Sequence, residues 1–231
     1  MEHNRTTVRK TDDEALRVSL LGRFEVSAGP RVVREEGWRL RKAASLVKLL
    51  ALAPDHRLHR EQTMELLWPD LAPGAAANNL HQTLHAARRT IEPDAAAFRY
   101  LILRDELLFL YPDGDLWVDV DAFEKAAAEA RRSRERESYR RAMGLYAGDL
   151  LPRDRYEEWA EARRAELRRT YLALLLELAA LHEEGGDFDR AIAALQRVVA
   201  GDPAREEAHA GLMRLYTRSG QRYQALRQYE Q

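Results

Sequence analysis

A 34-residue period in the second half of the chain constrains the fold more than any other feature of the sequence. Laid on itself with that shift, Leu178 meets Leu212, Leu181 meets Leu215, Gly186 meets Gly220, Ala191 meets Ala225 and Ile192 meets Leu226. A period of this length holds two helices and a turn, and each such unit buries its apolar face only against a neighbour. Small residues at Ala179 and Ala191 let paired helices approach closely, and Pro203 falls in the connection to the next pair. The last pair is still running at Gln231, so the chain reads as a piece of a longer protein or one lacking a final helix.

The first half follows other periods. Leu16, Val18, Leu20, Phe24 and Val26 alternate with Arg17, Ser19, Arg23 and Glu25, the pattern of a half-buried strand, with Leu21 as the exception. Gly29-Pro30 breaks the run, and Arg31 to Val33 reads as the returning strand of a hairpin. Three helices are expected next: Arg39 to Ala53, stopped by Pro54-Asp55; Arg60 to Trp68, stopped by Pro69; and Pro73 to about Glu92. Tyr100 to Arg104 and Leu107 to Tyr111 then read as a second hairpin turning at Asp105-Glu106. Strands, three helices and a projecting hairpin describe a winged helix. Asp121 is expected to cap the first helix of the second half, which carries Phe123 and Ala127.

The fold class is therefore mixed: a leader over 1–15, an α+β winged helix-turn-helix over 16–115, and an all-α, tetratricopeptide-like helical-repeat domain over 116–231. The leader is polar and lacks the apolar core of an export signal. The longest apolar run, Leu172 to Leu181, contains Glu177 and falls far short of the roughly 20 residues a bilayer span requires. No membrane association and a cytoplasmic location are expected. The chain has no Cys, which excludes disulfides and thiolate metal sites. Net charge is −1, but from Leu16 to Tyr111 there are 14 Arg and Lys against 11 Asp and Glu, while from Pro112 onward there are 20 against 23. The slight positive excess lies on the half with the winged-helix pattern.

On the third helix Leu80, Leu84, Ala87 and Ile91 form the core-facing stripe. The opposite face carries Asn78, Gln82, His85 and Arg89, with Asn79 and Arg88 at its margins. Asn and Gln can bond adenine bidentately and Arg can bond guanine, so this face suits base edges in a major groove. Arg39, Arg41 and Lys42 at the start of the first helix, and Arg60 at the start of the second, are candidate phosphate contacts. At the wing, Arg104 is the basic residue beside a turn whose Asp105-Glu106 opposes phosphate.

Other chemistry finds no foothold. His81 and His85 lie one helical turn apart with no carboxylate between them, and His56 and His59 read as residues of a solvated loop, so no metal is expected. Asp113, Asp115, Asp119 and Asp121 lack the ligand order of a calcium loop. No phosphate-binding glycine loop, nucleophile elbow or HExxH motif occurs, so neither catalysis nor a cofactor is expected.

The segments NNLHQTLHAARRTI at Asn78 to Ile91, LWVDVDAFE at Leu116 to Glu124, GDLL at Gly148 to Leu151, and GLMRLYTRSGQRYQALRQYE from Gly211 resemble antibiotic-regulatory-protein-type activators of bacteria. Those proteins join a response-regulator-type winged helix to a bacterial transcriptional activator domain, and the resemblance runs from about Leu16 to the end. It implies binding to direct repeats in double-stranded promoter DNA, a homodimer on DNA, and engagement of RNA polymerase through the activator domain. By position it gives the recognition face to Asn78, Gln82, His85 and Arg89. The loop from Pro69 through Asp70 to Gly74 becomes a candidate polymerase contact. Larger members of the family append an ATPase module and sensor repeats. The alternative is a protein-interaction scaffold in which the repeats form the binding groove and the winged helix serves for dimerisation.

Overall fold

The structure, a computed structural model, describes residues 15–229, so all of the leader but Ala15 lies outside the described residues. The chain divides into two compact units, Met1–Asp121 and Ala122–Gln231. The first is a winged helix and the second a stack of helices.

In the first unit, strands β1 (Leu16–Ser19), β2 (Glu25–Ala28) and β3 (Arg31–Arg34) form an antiparallel meander. The expected single strand from Leu16 to Val26 is in fact two strands. Its even-numbered apolar residues stay buried across the intervening turn, so a period of two persists where the chain reverses. Leu21, the apparent exception, is buried in that turn. A later strand, β7 (Leu116–Val118), pairs in parallel with β1 and completes the order β3-β2-β1-β7. Leu116 to Val118 therefore lie within the first unit, and its edge falls at Asp121 rather than at residue 115.

Helix α1 (Arg41–Leu52) is buried from Ala43 to Ala51 and forms the centre of this unit. Even Lys48 is enclosed, 3.1 Å from a Glu35 carboxylate oxygen and 4.5 Å from the centre of the Phe24 ring. Helices α2 (Arg60–Leu67) and α3 (Pro73–Ile91) pack on it, with Pro73 at the first position of α3, where its missing N–H costs no intrahelical bond. A second sheet has the order β4-β6-β5, from β4 (Arg57–His59), β5 (Leu101–Arg104) and β6 (Leu107–Leu110).

His56 and His59 do not sit in a solvated loop. His59 belongs to β4, and its Nδ1 accepts the Glu61 amide at the head of α2. His56 follows Asp55 in two successive left-handed conformations, φ 51° and 52°, each costing roughly 1–2 kcal/mol for a residue with a Cβ. Its Nε2 lies 3.1 Å from Asp121 Oδ2 and its Nδ1 3.1 Å from the Ala51 carbonyl. The bond to Asp121 is the main reason its pKa is raised.

Helix α4 (Asp119–Ser133) starts two residues before Asp121, so Asp121 lies inside the first turn and pairs with His56 rather than capping the helix. Asp119 faces inward. Its carboxylate accepts the amides of Leu20 and Leu21 at 2.8 to 2.9 Å. Burial nevertheless raises its pKa to about 6.

The second unit continues through α5 (Arg136–Leu145), α6 (Glu158–Glu184), α7 (Phe188–Gly201), α8 (Glu206–Arg218) and α9 (Arg222–Tyr229). Shifted by 34, the last thirteen residues of α6 fall on α8, and α7 starts where α9 starts. The two turns match in hydrogen bonding. Asp187 N donates to His182 O and Gln221 N to Tyr216 O, while Gly186 and Gly220 sit at φ 74° and 77°. This is the left-handed helix ending that glycine adopts without steric cost. Leu172, Leu175, Ile192, Leu195, Val198, Leu212 and Leu215 make the shared core. Ile192 is buried, yet its repeat equivalent Leu226 on α9 is exposed.

Candidate nucleic-acid interface

Helix α3 meets the rest of its unit through Ala76, Leu80, Thr83, Leu84, Ala87 and Ile91, all buried. This leaves Asn78, His81, Gln82, His85 and Arg89 exposed along one stripe, while Asn79 and Arg88 are half-buried at its margins. Among the described residues, the side chains of Asn78, Asn79, His81 and Gln82 have no hydrogen-bond or ion-pair partner. Four polar side chains with both donors and acceptors are thus left to a partner from outside. His81, weighed in the sequence as half of a metal pair, stands here between Asn78 and Gln82. Its wheel position, four residues before His85, was the available signal. No group of three or more His, Cys, Asp or Glu able to hold a metal occurs among the described residues.

The C-terminal end of α3 is more tied down. Arg88 Nε donates to the Leu101 carbonyl at 2.8 Å, linking α3 to β5, and its desolvation lowers its pKa. Arg89 donates one N–H to the Pro93 carbonyl at 2.8 Å and remains exposed. Both guanidinium groups lie over Phe98, a residue that carries no sequence motif.

Around α3 stand the other candidates. Arg39 and Arg41 are exposed and Lys42 is half-buried at the head of α1, and their side chains have no partner among the described residues. That helix starts with no acidic residue and no side-chain cap, so its free amides add to the positive potential there. Arg60 is engaged: its guanidinium pairs with Glu106 at 3.0 Å, and its amide donates to the Glu106 carbonyl at 2.8 Å. The wing is a two-residue turn with Asp105 and Glu106 at φ 52° and 64°, the left-handed pair that matches strand twist in tight hairpins. Arg104 stacks over Phe109 beside it. Between α2 and α3, Pro69, Asp70 and Gly74 are exposed, and so are the apolar Leu66 and Leu71.

Comparison with known proteins agrees with this architecture. Residues 118–231 match the bacterial transcriptional activator domain. No curated protein sequence matches the chain. A solved structure of Mycobacterium tuberculosis EmbR, in complex with a low-affinity phosphopeptide, superposes with a TM-score of 0.72 at 20% identity. The match covers 93% of this chain and 58% of EmbR, so the chain spans little more than half the length of that protein. No helix among the described residues is long and apolar enough to cross a membrane. An activator-domain match over residues 118–231 thus follows a winged helix, the order of domains that the resemblance to antibiotic-regulatory-protein-type activators implies.

Proposed function

We propose that this chain is a cytoplasmic, sequence-specific DNA-binding activator and not an enzyme. The observation that carries this reading is the outward face of α3, where Asn78, His81, Gln82 and His85 stand exposed on a helix whose other face is locked into a winged-helix core. A helix fits a major groove, and these side chains match base edges. Arg39, Arg41 and Lys42 supply phosphate contacts that add affinity without sequence information. A homodimer on promoter direct repeats provides the second recognition helix. The segment from Pro69 to Gly74, beside exposed Leu66 and Leu71, is the face offered to RNA polymerase.

Selection of bound duplexes from a random pool, at physiological salt, tests the reading. An enriched motif with a repeated half-site at fixed spacing is expected. A pool that stays random supports the scaffold alternative, in which the exposed Tyr223, Leu226 and Tyr229 of α9 bind protein.

A further inference from the structure

Between α3 and β5, the segment 92–100 holds an aromatic residue, Phe98, that base readout does not use. The Phe98 ring receives the Arg89 guanidinium at 5.2 Å and that of Arg88 at 5.5 Å from its centroid, and meets the His85 ring edge-on at 6.3 Å and 88°. Two adjacent cations repel, and an aromatic face attracts both. The segment that presents the ring is fastened at its ends. Glu92, with a buried carboxylate, accepts the amides of Arg99 at 3.1 Å and Tyr100 at 3.2 Å. Arg88 is bound to the Leu101 carbonyl, whereas Arg89 is exposed and gives one N–H to Pro93.

Helix geometry separates Arg89 from the base-reading residues. From Asn78 to His85 the helix rises about 10 Å, close to the width of a major groove at about 12 Å. Arg89 lies a further turn on, about 16 Å from Asn78. With Asn78 to His85 over the bases, Arg89 reaches the phosphate wall.

Resting on the DNA-binding reading, we infer that Phe98 is a positioning residue: its ring holds Arg89 toward a backbone phosphate, and Arg88 acts as the strut that joins α3 to β5. Arg89 then contributes to affinity for any duplex and little to the choice of sequence.

The test is a salt titration of binding to the selected duplex and to a scrambled one, with the whole chain and F98L, F98Y, R89A and F98L/R89A variants. Leu keeps the volume at position 98 and removes the aromatic face. F98L is expected to lose about three- to tenfold in affinity for both duplexes at low salt, with a salt slope smaller by about 1 and an unchanged melting temperature. F98Y should bind as the parent does, and F98L/R89A should bind no worse than R89A. Unchanged F98L binding overturns the inference, and so does a loss confined to the selected duplex or one with an unaltered slope. Should F98L melt lower, F98M is put through the same cycle, and effects of F98M and R89A that simply add overturn the inference equally. If the parent chain binds neither duplex, the DNA-binding reading itself falls, a result visible before any variant is made.

Discussion

The two units place their polar bonds on opposite sides. In the winged helix several polar bonds lie inside: Asp119 on the Leu20 and Leu21 amides, Lys48 with Glu35, and Glu92 on the Arg99 and Tyr100 amides. On the outer face of α3 the side chains of Asn78, His81 and Gln82 are left unpaired. In the helical unit the charges pair with one another across the surface, as Glu183 does with Arg214 at 2.8 Å and Arg218 at 2.6 Å, and Arg163 with Glu124 at 2.7 Å. Exposed side chains already paired within the fold offer little to a partner, whereas Asn78, His81 and Gln82 of α3 stand exposed and unengaged.

The largest test of this contrast is Asp119→Ala. Two buried amides lose their acceptor, and the winged helix should lose about 2–4 kcal/mol, seen as an earlier melting transition of that unit alone. A concerted shift of both units would break the contrast. Next in size, Gln82→Ala should weaken binding to the selected duplex by about 1–3 kcal/mol without changing the melting temperature. A change in melting temperature without a change in binding would reverse the roles assigned to α3. In the helical unit Gly220→Ala forces a side chain into a left-handed conformation, with an expected cost of about 1–2 kcal/mol, measurable by denaturant unfolding. The smallest effect is expected from Glu183→Gln, below about 1 kcal/mol, because both arginines are half exposed and solvent screens the pair.

Proton uptake sharpens the comparison further. Asp119 has a raised folded pKa of about 6 and His56 is raised too, so the folded winged helix binds protons more readily than its unfolded chain. Its stability should fall as pH rises through these values. In the helical unit, burial lowers the pKa of His182, whose Nδ1 has no hydrogen-bond partner. That unit should keep its stability above the ordinary histidine range and lose it as pH falls below. Melting curves between pH 8 and 5 should therefore move in opposite directions for the two units, and parallel movement would show that other groups dominate.

Much of this was legible in local pattern. The 3.6-residue stripe from Leu80 to Ile91 fixed both faces of α3, and the repeat of Gly186 at Gly220 located two equivalent turns. The division of β1 from β2 was hidden because buried residues kept even spacing through the turn at Leu20 to Phe24. Asp119 and Phe98 were hidden for a different reason. Their roles depend on partners that only the folded chain brings near, such as Leu20, 99 residues from Asp119, or on an isolated aromatic that no motif marks.

The parallel pairing of β7 with β1 bears on the order of events during synthesis. Leu16 and Leu116 are paired in the finished sheet, so the first strand made waits for one of the last in its unit. At roughly 5–20 residues per second, that delay is roughly 5–20 s, while a helical repeat waits only for the helices next to it in sequence. An early strand kept waiting presents an unpaired edge. Release from the ribosome soon after Arg104 would strand that edge, whereas release after Asp121 supplies both the missing strand and the carboxylate that fastens it.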